Sequence, residues 1–201
     1  MMVTTHVLVG LVVALPVVFL APDHAPAALA AGLVGGLFPD LDVVATHRKT
    51  LHHPVVAAFG AAAAVPLAVV VPTDATIALV TFLAAAALHC VGDLASCGIG
   101  ARPWTNPPSN RAVYDHVRGQ WVPPRRWVRY DGSPEDLAFA SALAVPLLAV
   151  LEGPWTILVA LLIAVSVGYT VTRKRLEDLA RWGVRYLPPR LHVYVPDRYL
   201  A

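Results

Sequence analysis

The sequence predicts an all-α polytopic membrane protein with about six short transmembrane helices and cytoplasmic N- and C-termini. Three observations lead there. The 201 residues are 57% hydrophobic and only 14% charged, with a mean hydropathy of +0.63. A soluble domain carries about 25% charged residues, so a soluble chain of this composition would lack the polar surface to stay dissolved. The apolar runs recur along the whole length instead of forming one anchor. Finally, alternating those runs across a bilayer puts every Lys and Arg on one side.

Six apolar segments carry the reading: Val7–Ala21, Ala25–Phe38, Val55–Val71, Ala75–Val91, Leu137–Leu151 and Trp155–Thr172. Most fall short of the ~20 residues that a straight span needs. The second contains Gly32, Gly35 and Gly36, small residues that permit close helix approach. Pro16, Pro66 and Pro146 lie inside three of the segments, as membrane helices tolerate when neighbours satisfy the freed carbonyls. Met1 to Thr5 contains no Lys or Arg, so the positive region of a secretory signal is missing and the first segment is read as a retained helix.

Orientation follows from the basic residues. The turns Pro22–His24, Pro72–Asp74 and Glu152–Pro154 contain none, and each contains one acid. All fifteen Lys and Arg lie on the opposite side: Arg48 and Lys49 in the first inner loop, then the long loop and the tail. Residues 1–172 are read as the membrane-embedded domain, with a polar inner loop over 97–136. Residues 173–201 are read as a basic cytoplasmic tail whose helical spacing suits an interfacial helix. The long loop is rich in Pro, Arg and Trp. A loop of that length in a compact domain is functional or disordered, and its composition suits anionic lipid headgroups. Cys90 and Cys97 form no CxxC pair and are read as free thiols. The predicted location is the cell membrane, and nothing points to nucleic acid.

The polar residues that need explaining lie at helix ends. His6 starts the first helix, Asp40 and Asp42 follow the second, and His47, His52 and His53 precede the third. His89 and Asp93 end the fourth. With the N-terminus inside, all eight reach the cytoplasmic face. His89 and Asp93 are four apart and share a helix face. Read as an extended segment, Asp40 and Asp42 would point the same way. Asp40, Asp42 and Asp93 sit at helix C-termini, where a carboxylate opposes the dipole by roughly 0.3–1 kcal/mol. A bound cation offsets that cost. The expected ligands are His6, Asp40, Asp42, His47, His52, His89 and Asp93. Seven donors suggest two ions, because a zinc takes three or four protein ligands. Mixed imidazole and carboxylate ligation suits zinc, manganese or iron over calcium or magnesium. His116, beside Asp115, is a further candidate.

At these residues the sequence resembles the YdjM-like family of membrane-bound, metal-dependent hydrolases, which is similar to zinc-dependent phospholipase C. The matching elements are Thr5-His6, Gly35-Gly36-Leu37-Phe38-Pro39-Asp40-Leu41-Asp42, His47-Arg48-Lys49-Thr50-Leu51-His52-His53 and His89-Cys90-Val91-Gly92-Asp93, with Gly98 and Pro103 following. Leu51 stands where the family has Thr, and His53 where it has Ser. The likeness covers roughly residues 1–110. It implies a metal-dependent hydrolase. Together with the loop arginines it suggests a phosphoester substrate, such as a lipid headgroup, with Arg48 gripping phosphate and His53 as a second catalytic candidate. Two readings stand beside it: a structural metal site in a non-enzymatic membrane protein, and a metal or ion transporter. A transporter places ionisable groups near the midplane, and the middles of the six segments contain none.

Overall fold

A computed structural model describes residues 1–100, 102–105 and 109–195. Among these, six α-helices form the body: α1 (Val3–Leu20), α2 (Ala25–Leu37), α3 (Pro54–Val70), α4 (Asp74–Ala95), α5 (Pro134–Val150) and α6 (Pro154–Val184). Each overlaps one of the expected apolar segments. Four helical runs are long and apolar enough to cross a membrane: Val3–Leu20, Pro22–Val44, Asp74–Ala95 and Pro154–Val184. The second of these joins α2 to flanking 3₁₀ turns at Pro22–His24 and Phe38–Val44. With 17 residues each, α3 and α5 reach about 25 Å at 1.5 Å per residue, short of a ~30 Å hydrocarbon core.

α1 is the hub. Its Leu8, Leu11 and Ala14 are fully buried, in one cluster with Ala28 and Leu29 of α2, Ile77 of α4, Ala140, Ala144 and Leu147 of α5, and Val159 of α6. α1 and α2 cross at a pair of glycines. A Cβ on Gly10 would collide with the Gly32 carbonyl, and one on Gly32 with the Gly10 carbonyl. The small-residue pattern of the second segment therefore marks a backbone-to-backbone crossing. α3 packs on α4 through Ala57, Ala86 and Ala87. Pro16, Pro66 and Pro146 are all inside helices.

Polar ties fasten the ends. Asp136, fully buried in the first turn of α5, accepts from the Met2 amide (2.7 Å), the Thr5 hydroxyl (2.8 Å) and the Gly132 amide (3.0 Å). Ser133 caps the same helix. Thr4 and Ser166 share a hydrogen bond of 2.7 Å that joins α1 to α6.

Two features depart from the sequence reading. The chain is not purely helical, because the long loop contains a hairpin of β1 (Val113–Asp115) and β2 (Gln120–Val122), with Val113 opposite Val122. Asp115 accepts the amides of Val117 and Arg118, and Gly119 takes a positive φ of 67°. This is the chemistry of a short hairpin turn. The boundary drawn between Thr172 and Arg173 also falls within α6, which runs on to Val184. The reason is local. Arg173 pairs bidentately with Asp131, and Glu177, one turn on, pairs with Arg102 and Arg181. These contacts hold the helix through the boundary, and a 3₁₀ turn follows at Pro189–Tyr194.

The long loop also caps α4. The amides of Arg125, Arg126 and Trp127 donate to the carbonyls of Leu94, Ser96 and Ala95 at 2.8, 3.0 and 2.9 Å, satisfying acceptors that a helix end leaves open. The Tyr114 amide donates to the Arg48 carbonyl, laying the hairpin against the 45–53 segment. Most of what the sequence marked as a polar insertion is therefore a clamp around two segments that carry candidate ligands.

Candidate metal centre

Four side chains converge at the ends of α2 and α4: Asp40, His52, His89 and Asp93, with one donor atom from each lying within 4.8 Å of the others. His52 Nε2 is 3.2 Å from Asp93 Oδ2 and 3.9 Å from Asp40 Oδ1. His89 Nε2 is 3.4 Å from Asp40 Oδ1 and 3.5 Å from Asp93 Oδ2. Donors held tetrahedrally at 2.0–2.2 Å from a zinc-sized ion lie about 3.3–3.6 Å apart. The His52–Asp93, His89–Asp40 and His89–Asp93 pairs lie at or near that spacing, and the His52–Asp40 pair is wider.

The hydrogen bonds behind the two rings agree. His89 Nδ1 lies 2.7 Å from the Gly36 carbonyl, which can only accept, so that nitrogen carries the hydrogen. His52 Nδ1 likewise donates to Asp42 Oδ2 at 3.0 Å. Both Nε2 atoms then face carboxylate oxygens, on the side where a cation would sit. His89 Nε2 is buried without a hydrogen-bond partner among the described residues. On Asp93, Oδ1 takes the protein donors, from His6 Nε2 at 3.2 Å and from the Arg48 guanidinium and the Met1 ammonium at 3.1 Å each. Its Oδ2 turns to the two histidines.

Asp40 and Asp42 do not point the same way. The Phe38–Val44 segment is a 3₁₀ helix and not an extended strand. At three residues per turn, positions two apart diverge by about 120°. Asp40 therefore joins the cluster, while Asp42 turns to the 47–52 loop. Its two oxygens accept from His47 Nδ1 (2.9 Å), the Arg48, Lys49 and Leu51 amides (3.2 Å each) and His52 Nδ1. Such a carboxylate behind a ligating histidine fixes its tautomer and raises its basicity. Asp42→Asn is expected to lower zinc affinity about 10–100-fold, measured by competition with a chelating dye, while helix content is retained.

The remaining candidates are placed around this core. His6 stacks on His89 with ring centroids 3.7 Å apart. His47 is partly exposed beside His52. Arg48, expected to grip phosphate, is buried with a left-handed backbone (φ 61°). Its guanidinium donates to the Cys97 carbonyl at 2.7 Å and to Asp93. Burial alone would weaken its charge, but the Asp93 carboxylate holds its pKa above the ordinary arginine value. His53 turns away from the cluster, against the Thr50 carbonyl, and stacks on His116 at 4.2 Å. His116 in turn meets the Lys49 carbonyl, so neither histidine is part of the convergent set. Cys90 and Cys97 are both free and buried.

No family model, curated protein or solved structure matches this chain. The resemblance to YdjM-like proteins therefore rests on the motif residues themselves.

The cluster is not sealed. A cleft of about 750 Å³ reaches Asp40, His47 and Arg48 on one side and Asp131, Tyr169 and Arg173 on the other. Sequence reasoning missed Asp136, Asp131 and Arg173. For Asp136 a signal existed, since Ser133-Pro134-Glu135-Asp136 has the spacing of a helix N-cap.

Proposed function

We propose that the cluster binds a divalent transition ion, zinc ahead of manganese or iron, and that the protein hydrolyses a phosphoester at the cytoplasmic membrane face. The observation that carries this reading is the convergence of four donors beside an open cleft. A catalytic ion keeps a position for water or substrate, which beside four protein donors is a fifth one, on the side where the donors meet the cleft. Asp40, one of the four, lines the cleft. The family resemblance and the one-sided basic residues support the reaction class and the orientation, with six membrane-crossing helices.

One ion is assigned here in place of the two counted from seven ligands, because Asp42 is fully engaged with the loop and His52. A divalent ion at such a site supplies a Lewis acid and acidifies water. Asp40, His52, His89 and Asp93 hold it, and Asp42 and the Gly36 carbonyl fix the two imidazoles. His47 lines the cleft with Nδ1 donating to Asp42, which leaves Nε2 to take the proton from water. In the balanced reaction, water oxygen bonds to phosphorus, the bond from phosphorus to the ester oxygen breaks, and His47 returns the proton to that oxygen.

The two roles separate in a mutant pair assayed on a soluble nitrophenyl phosphoester. His89→Ala is expected to lose both metal and activity. His47→Ala is expected to keep its metal and lose about 10²–10⁴-fold in kcat, the usual contribution of a positioned acid or base. Full activity in His89→Ala would sink the hydrolase reading.

A further inference from the structure

We infer that the cleft opens sideways into the bilayer and that its substrate carries an acyl chain seated along α6, a specification that rests on the hydrolase reading above. The cleft lies between the first turn of α1, the 40–48 segment and α6. Val3, Val43 and Val165 line it and remain 41%, 64% and 58% exposed. All three stand on helical runs apolar enough to cross a membrane. Val165 ends a stripe on one face of α6, with Ile157 and Leu161 at four-residue spacing and 63% and 58% exposed. That stripe is about 12 Å long at 1.5 Å per residue. It leads from the apolar part of α6 to the space beside Asp40.

The chemistry changes along this path. One and two turns beyond Val165 come Tyr169 and Arg173, both hydrogen-bonded to Asp131 (2.6 and 2.8 Å). The cleft therefore has a polar end, a metal-binding end and an apolar flank continuous with an exposed helix face. A small hydrophilic phosphoester would meet the polar part alone and leave the flank to ordinary bilayer lipid. An amphiphile with a phosphate head and a hydrocarbon tail covers both parts, and its tail never leaves the bilayer.

The test uses the full-length protein in phosphatidylcholine nanodiscs. One sample contains a phosphonate analogue of phosphatidic acid with a diazirine on its acyl chain. The other contains phosphatidylcholine bearing the same diazirine, which reports ordinary lipid contact. After illumination, the peptide that holds Val165 should carry about tenfold more adduct from the phosphonate. Val165→Trp, which fills the groove with an apolar side chain, should remove that excess without changing metal content. Equal labelling by the two lipids, or an excess indifferent to Val165→Trp, overturns the inference. The phosphonate is not hydrolysed, so the readout is separate from turnover. Preferential labelling without phosphatidic acid cleavage would defeat the hydrolase reading and leave the groove standing. Cleavage of a soluble ester without preferential labelling would do the reverse.

Discussion

Replacing Asp93 with alanine is expected to destabilise the protein by about 3–5 kcal/mol and to remove the bound metal. The two effects come from the two oxygens of one carboxylate. Oδ1 faces His6, the Arg48 guanidinium and the Met1 ammonium, and Oδ2 faces His52 and His89. Arg48 is itself buried, so deleting Asp93 leaves a cation inside the protein with a backbone carbonyl as its remaining close acceptor in this cluster. Breaking one half of a buried pair costs this much because the surviving charge is uncompensated. Denaturant unfolding in detergent measures the first effect, and elemental analysis the second. Asp93→Ala with wild-type stability would show that Arg48 has another way to hold its charge.

The second large effect is expected at a residue that touches no ligand. Gly10→Leu should destabilise by about 3 kcal/mol, the upper end of the usual cost of overpacking, and should weaken metal binding too. Even a Cβ at Gly10 meets the Gly32 carbonyl, and a backbone atom cannot swing aside as a flexible side chain can. α1 and α2 must separate. His6 lies one turn before Gly10, and the Gly36 carbonyl that holds His89 lies one turn beyond Gly32. A Cβ on Gly36 would similarly strike the His6 carbonyl. The helix crossing thus sets the register of the metal cluster. Gly168→Ala is the matched control. Nothing lies within 4 Å of a Cβ there, so that change should be neutral or stabilise by up to about 1 kcal/mol through helix propensity. Thermal melts of the three proteins decide the matter.

The helices and the cluster were legible for different reasons. Long apolar runs admit one solution in lipid, so helix positions followed from composition and hydropathy. The gathering of His52, His89, Asp40 and Asp93 followed from which helix ends share a face. What could not be read was direction within a turn. Whether Asp40 and Asp42 point together depends on whether Phe38–Val44 is extended or 3₁₀, and both fit the same residues. The fate of Arg48 was hidden for a similar reason. Its burial is set by Cys97 and by the hairpin packed on its carbonyl, contacts some 50 and 65 residues away in a loop with weak local pattern. Asp131 and Arg173 find each other across the α5–α6 hairpin, and a pairing at that distance leaves no periodic trace.

The central claim is that Asp40, His52, His89 and Asp93 hold a metal ion. The most direct measurement is the metal content of detergent-purified protein, wild type beside His52→Ala, by elemental analysis after zinc or manganese is supplied. About one transition-metal ion per chain in the wild type, lost in the variant, is the expected result for a single four-ligand site. A wild type that holds none, or a variant that holds as much, would contradict it.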